Sequence, residues 1–109
     1  MTTITIYKSK SGRFKRFTCS GHSGYAEFGN DIVCASISIL VINCINSLEE
    51  LANEEMSITE NEEDGYIDCI FTNDINDKSK LLLESMILGL NSIAEQCGKK
   101  YLRLKIKEV

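Results

Sequence analysis

Hydrophobic and polar positions alternate in several short segments of the chain, and this period of two predicts β-strands. The first strand, Thr2 to Lys8, sets Ile4 and Ile6 against threonines. Turn signals after the first and third strands, at Ser11-Gly12 and near Gly65, predict two hairpins. The five predicted strands cover residues 2–8, 13–20, 56–59, 66–72 and 101–107.

Two longer segments repeat their apolar positions at helical spacing. The first runs from Ile32 to about Glu55, and it is apolar enough to predict packing against the sheet and against something else, such as another subunit. The second is capped by Asn76 or Asp77 and runs to Cys97, with Gly98 as its terminator. The order ββαββαβ predicts an α+β fold in a single small domain spanning residues 1–109, with the helices packed on a mostly antiparallel sheet.

Each helix is expected to bury a defined row of apolar side chains. In the first helix the row is Val33, Ile37, Leu40, Cys44, Leu48 and Leu51, widened by Ile39, Ile42 and Ile45. In the second helix it is Leu82, Met86, Leu90, Ile93 and Cys97.

Charge is unevenly distributed along this 109-residue chain, whose formal net charge is −4. Residues 49–64 carry eight of the sixteen carboxylates and no Lys or Arg, whereas residues 8–16 and 99–107 each carry five of the twelve basic groups. The clusters are either ordinary solvated faces or a basic sheet edge that guides a charged partner. The negative balance argues against a protein that coats nucleic acid, so no direct nucleic-acid contact is expected.

No targeting segment is apparent in the sequence. The N-terminus lacks a basic region followed by an apolar one, so a secretory signal is not predicted. The uncharged stretch from Ile32 to Leu48 is interrupted by serines and asparagines and falls short of a membrane span. Five cysteines cannot all pair in disulfides. A soluble protein of the reducing cytoplasm, without membrane contact, is therefore expected.

Candidate chemistry concentrates in the glycine-rich loop 21–31 and the start of the helix that follows it. The loop holds His22, the single histidine, and Cys34 falls in the first helical turn. If Asp31 is the N-cap, Cys34 is the third helical residue, where the backbone N–H groups favour a thiolate. A nearby imidazole could then protonate a leaving amine, as a cysteine peptidase or acyl transferase requires. The remaining cysteines lie on apolar rows, as buried hydrophobes do: Cys19, Cys44, Cys69 and Cys97.

Two polar residues beside this pair have more than one interpretation. Asp31 can cap the helix, which stabilises it by about 1 kcal/mol, or it can orient His22 as a third catalytic member. Ser38 lies one turn after Cys34, so its hydroxyl can enter the site or bond back to the preceding turn. Neither pair of alternatives is settled by spacing.

A metal site is the competing interpretation of the same residues. Cys19, His22 and Cys34 supply two thiols and one imidazole, but structural zinc normally uses four ligands in two close pairs. We therefore expect no metal and no other cofactor.

The joint spacing of these residues resembles a known motif. Gly21-His22-Ser23-Gly24-Tyr25-Ala26, followed by Gly29-x-Asp31-Ile32-Val33-Cys34-Ala35-x-x-Ser38, is similar to the motif of Prp, the bacterial ribosomal-processing cysteine protease family. Chain length and element order are similar too. The resemblance implies that Cys34 is the nucleophile and His22 its base and acid. It also implies a mobile loop that closes over a peptide. The expected substrate-loop residues are Gly21, Ser23, Gly24, Tyr25, Phe28 and Gly29.

The resemblance further implies a substrate and an assembly. Members of this family remove a short N-terminal extension from a large-subunit ribosomal protein, number twenty-seven in the bacterial scheme. They cut after paired aromatic residues and before Ala, and they are homodimers. Two alternatives remain at this point: a non-enzymatic ribosome-associated binding module that uses the basic strands, and a zinc-dependent structural role.

Overall fold

The structure, a computed structural model, describes residues 1–21, 32–98 and 100–109. The elements found there follow the predicted order ββαββαβ, which confirms the α+β class. The strands are β1 (Thr2–Lys8), β2 (Phe14–Ser20), β3 (Met56–Asn61), β4 (Tyr66–Phe71) and β5 (Leu102–Glu108). The helices are α1 (Ile32–Glu50) and α2 (Asp77–Cys97).

The described strands form one mixed sheet in the order β3-β4-β2-β1-β5. Three neighbouring pairs are antiparallel, and β5 lies parallel to β1, so the predicted mostly antiparallel sheet is confirmed. Each helix joins two strands that run in the same direction, which requires a crossover rather than a tight turn. After the crossover through α1, the β3–β4 hairpin joins the sheet next to β2, with β4 paired to β2 and β3 at the edge.

Both helices pack on the same face of this sheet. Side chains of paired residues share a face, and one row contains Ile58, Cys69, Phe17 and Ile6. These residues belong to the apolar core together with the buried rows of α1 and α2, so we call this side the helix-covered face. The alternate residues of each strand point the other way. We call that side the open face, because no helix of the described residues packs on it.

Helix α1 ends five residues earlier than predicted. The chain turns at Asn53, whose φ of 53° is incompatible with continuing the helix, and the Glu54 N–H donates to the Leu48 carbonyl at 2.9 Å. The expected burial of Leu51, Ile39 and Ile42 is wrong, since all three are exposed, and Leu40 is only partly buried. The buried row is Val33, Ile37, Val41, Cys44, Ile45 and Leu48.

Helix α2 has its predicted bounds. Its N-cap is Asn76, whose side-chain oxygen accepts from the Ser79 N–H at 2.9 Å, and Gly98 follows its last residue with a φ of 102°. Met86 and Leu90 are buried as predicted, but in the first half of the helix Leu83 is fully buried in place of the predicted Leu82. Half-buried positions of the predicted row are Leu82, Ile93 and Cys97.

In the described part of the chain, only α1 is long and apolar enough to cross a membrane by length and composition, with a mean hydropathy of 1.8. A core helix of a soluble protein passes the same test. Because Val33, Val41 and Leu48 pack in the core of this domain, the length and composition of α1 are weak evidence for a span.

Candidate active site

A cleft of about 210 Å³ lies between the first half of α1, the ends of β1 and β2, and the β3–β4 hairpin. Its apolar lining residues are Cys19, Ile37, Val41, Ile42 and Ile67. Its polar lining and its glycines come from all of these elements: Thr2, Gly21, Cys34, Ser38, Glu60, Asn61, Glu62, Gly65 and Tyr66. The arrangement provides an apolar floor with a polar rim, as suits a peptide whose backbone stays partly hydrated.

Cys34 lies in the first turn of α1, as the sequence predicted, and it borders this cleft. It is the third residue of α1, it is half-buried, and its side chain lines the cleft together with Ser38 one turn later. Backbone N–H groups of a first helical turn have no partner within the helix, which is why helix starts commonly bind carbonyl oxygens and anions. The structure therefore brings a thiol and a hydroxyl to one cavity at the start of a helix.

The other predicted site residues divide between described and undescribed parts of the chain. Gly21 is described and lines the cleft. The remaining ones lie outside the described residues: His22, Ser23, Gly24, Tyr25, Phe28, Gly29 and Asp31. The roles assigned to them stay predictions.

Gly21 holds the end of β2 close to the start of β1. Its φ is 86°, and a Cβ built there would lie 2.6 Å from the backbone oxygen of Met1. The Thr2 hydroxyl donates to the Gly21 carbonyl at 3.4 Å. Only glycine fits this conformation and this approach, so the backbone entering His22 has a fixed starting point.

The cysteines differ in how far they are removed from solvent. Burial raises the pKa of the Cys44 and Cys69 thiols to about 12. Burial, and secondarily the charge of nearby Cys34, raises the pKa of Cys19 to about 11. These three thiols are therefore neutral at physiological pH and poor nucleophiles. Cys34 is more exposed than any of them and borders the cleft.

Sequence reasoning did not find the wall formed by the β3–β4 hairpin. Glu60, Asn61, Glu62 and Tyr66 line the same cleft as Cys34 although more than 25 positions separate them from it in the chain. One signal was present: Glu60 continues the alternation of Met56 and Ile58 with a charge in place of an apolar side chain. A charged residue at a core-facing position indicates an opening in the core.

The metal interpretation remains untested. Within residues 1–21, 32–98 and 100–109, no group of three His, Cys, Asp or Glu side chains is arranged to hold a metal ion. Cys19 and Cys34 line the same cleft, but the histidine that would complete the proposed set lies outside the described residues. The prediction of a metal-free site therefore stays a prediction.

Comparison with known proteins gives a consistent family. A family model described as cysteine protease Prp matches residues 1–102. The ribosomal processing cysteine protease Prp of Bacillus subtilis (strain 168) is 32% identical over 97 residues, which cover 85% of this chain and 87% of that protein.

Two crystal structures of the ribosomal processing protease Prp from S. aureus share the fold. The one with a covalently linked product peptide has a TM-score of 0.92 and 28% identity, and the match covers 98% of this chain and 100% of that one. The one with a substrate peptide has a TM-score of 0.86 and 27% identity over the same shares of the two chains. Both structures of this relative therefore carry a peptide on a fold that extends over nearly the whole of this chain.

Proposed function

Because the chain belongs to the cysteine protease family Prp, we propose that Cys34 is its nucleophile and His22 its general base and acid. The observation that carries the proposal is the position of Cys34 in the first turn of α1, half-buried against a cleft large enough for a peptide side chain. The chain is a cysteine protease, so the non-enzymatic module considered from the sequence is wrong as a description of the whole protein.

The proposed reaction follows from the chemistry of these groups. The thiolate of Cys34 attacks the scissile carbonyl carbon, and the oxyanion that forms accepts hydrogen bonds from backbone N–H groups at the start of α1. The C–N bond breaks as the imidazolium of His22 transfers its proton to the departing amine. Water then attacks the thioester carbonyl carbon while His22 accepts its proton, and the C–S bond breaks to release the acyl product and restore the thiolate–imidazolium pair.

We propose that the substrate is the N-terminal extension of a large-subunit ribosomal protein, number twenty-seven in the bacterial scheme, cut after paired aromatic residues and before Ala. The relatives named above are ribosomal processing proteases, one of them seen with a product peptide joined covalently. In this chain, the floor formed by Ile37, Ile42 and Ile67 suits an aromatic side chain, because burial of apolar surface favours binding.

A precursor peptide carrying the extension tests the assignment. We expect purified protein to cleave it at the aromatic–Ala bond, and Cys34→Ser and His22→Ala to reduce the rate by at least about 10³-fold. Cys97→Ser is the matched control, because it removes a half-buried thiol at the far end of α2, outside the cleft, and it should retain full activity. Cleavage that survives either catalytic substitution would end the proposal.

We also propose that the protease is a homodimer that uses the outer side of α1. Ile39 is 70% exposed there, and Ile32 is 62% exposed one heptad earlier, so both lie on one side of the helix, where a second subunit would cover them. Analytical ultracentrifugation of Ile39→Lys should then show a monomer. Ile106→Lys changes an equally apolar residue, 62% exposed on β5, and should leave the dimer intact. A monomeric wild-type protein would refute the dimer without touching the proteolytic assignment.

A cytoplasmic location is proposed from the state of the cysteines. All five, each within the described residues, are present as thiols rather than disulfides, which a reducing compartment maintains. Cell fractionation followed by detection of the protein in the soluble cytoplasmic fraction tests this.

A further inference from the structure

We propose that the β5 side of the open face binds single-stranded RNA through its phosphate groups. The proposal does not rest on the proteolytic assignment, since this surface lies on the opposite side of the sheet from Cys34. Arg103, Lys105 and Lys107 alternate along β5, and the pairing with β1 places all three on the open face. All three side chains are exposed.

The open face is positive because its one strand carboxylate is already neutralised. Among the strand residues on this face, Asp68 is the only acid, and it accepts two hydrogen bonds from Arg16, at 2.8 and 2.7 Å. This fork geometry is the strong form of the ion pair, and it holds the pKa of Arg16 above its ordinary value. Three cations on β5 thus remain without a carboxylate on the same face to offset them.

The spacing of these cations suits a repeating anion. Alternate residues of a strand lie about 6.6–6.8 Å apart, so the three charges form a straight row about 13 Å long. Thr3 pairs with Arg103 and Tyr7 pairs with Lys107, so a partly exposed residue that carries a hydroxyl group neighbours the cationic residue at each end of the row. Hydroxyl and cationic donors side by side are the usual contacts of proteins with phosphate and ribose oxygens.

The hydroxyls and the flat sheet favour a nucleic acid over an acidic polypeptide, and a single strand over a duplex. A duplex needs an element that enters a groove or spans two of them, whereas an open sheet face presents a plane to unstacked nucleotides. The expectation that this chain has no direct nucleic-acid contact came from its net charge of −4. That sum combines a basic edge at β5 with an acidic edge at β3, which lie at opposite ends of the sheet.

Fluorescence anisotropy with a labelled 12-nucleotide uridine RNA tests the proposal. Three phosphate contacts on a single strand predict a slope of about −2.1 for log K against log salt, so the affinity should fall about 18-fold between 50 and 200 mM salt. The double variant Lys105→Gln, Lys107→Gln should have a slope of about −0.7, so that its affinity for the RNA falls only about 3-fold between 50 and 200 mM salt. Lys78→Gln with Lys80→Gln is the matched control, because it removes the same charge from exposed positions on α2. The control should bind like wild type.

Three results would overturn the proposal. The first is no binding at 50 mM salt, which would leave the β5 cations with only the role of keeping an exposed edge strand from pairing with other chains. The second is an equal loss in both double variants, which would assign binding to net charge. The third is displacement of the RNA by polyglutamate at equal charge concentration, which would assign the surface to acidic proteins. Precursor-peptide cleavage by both variants at the wild-type rate verifies that they are folded.

Discussion

Replacing Gly21 with Ala should damage the active site far more than it damages the rest of the fold. Gly21 has a φ of 86°, and an added Cβ would lie 2.6 Å from the backbone oxygen of Met1. That oxygen belongs to the chain entering β1, so it cannot rotate away as the end of a side chain can. Relief requires the end of β2 and the start of β1 to separate, and His22 follows directly on the moving residue.

The magnitude has two parts. A side chain at positive φ costs about 1–2 kcal/mol, and forcing atoms into an occupied space costs about 1–3 kcal/mol more. We therefore expect Gly21→Ala to lower the free energy of unfolding by about 2–5 kcal/mol. A displacement near 1 Å at a catalytic group reduces the rate by about 10²-fold, so kcat/KM for the precursor peptide should fall by at least that factor.

Gly12→Ala is the matched control, because Gly12 has nearly the same φ, 84°, but nothing lies within 4 Å of its added Cβ. Gly12→Ala should lower the free energy of unfolding only by the conformational part, about 1–2 kcal/mol, and keep wild-type activity, since Gly12 lies in the β1–β2 turn. Urea unfolding and peptide cleavage measured on both variants separate the two parts. The expectation is contradicted if the Gly21→Ala variant is no less stable than Gly12→Ala, or if the Gly21→Ala variant cleaves the peptide at the wild-type rate.

Three further outcomes are expected from the described contacts. Brief iodoacetamide treatment at pH 7.5, read by mass spectrometry, should label Cys34 well before Cys44 and Cys69, because a pKa of about 12 leaves roughly one thiol in 30,000 ionised. Raised folded pKa values also mean that these buried thiols stabilise the fold below about pH 9 and lose that contribution as the pH rises toward 12. Between pH 9.5 and 11, the free energy of unfolding should therefore decrease less steeply in Cys44→Ala than in wild type, by about 1.4 kcal/mol per pH unit. An unchanged slope in urea unfolding measured across this pH range would contradict the expectation. Asn76→Ala removes both the bond from the Ser79 N–H and the bond from Asn76 Nδ2 to the Ala52 carbonyl, so it should cost at least about 1 kcal/mol. Asn76→Asp keeps the cap and loses only the second bond, so it should cost less in the same assay.

The elements that local patterns specify were predicted well. Helix α2 has an asparagine cap at its start and a glycine after its end, and both signals act within a few residues. The end of α1 was missed because Leu51 continues the helical spacing of apolar residues. The one local signal against it is Asn53, since asparagine tolerates the left-handed conformation that ends the helix.

The cleft wall could not be predicted in the same way, because it depends on strand order. Glu60 and Tyr66 reach the cleft only because β4 pairs with β2, and no local pattern specifies which strands become neighbours. The parallel pairing of β5 with β1 is equally nonlocal. The reactive cysteine was predictable, in contrast, since its distinguishing feature is the first turn of a helix after a glycine-rich segment.

Glu60 explains why the helix-covered face is open at this end. It lies in the row of Ile67, Cys19 and Ile4, where an apolar side chain would extend the core to the edge strand. A carboxylate there is costly to bury without a partner, and none of the ion pairs among the described residues includes it. The row therefore changes from an apolar floor at Ile67 to a hydrated rim at Glu60, and α1 cannot close over it. Apolar surface is therefore left uncovered at this edge of the core, and the space that results is the cleft that Cys34 borders.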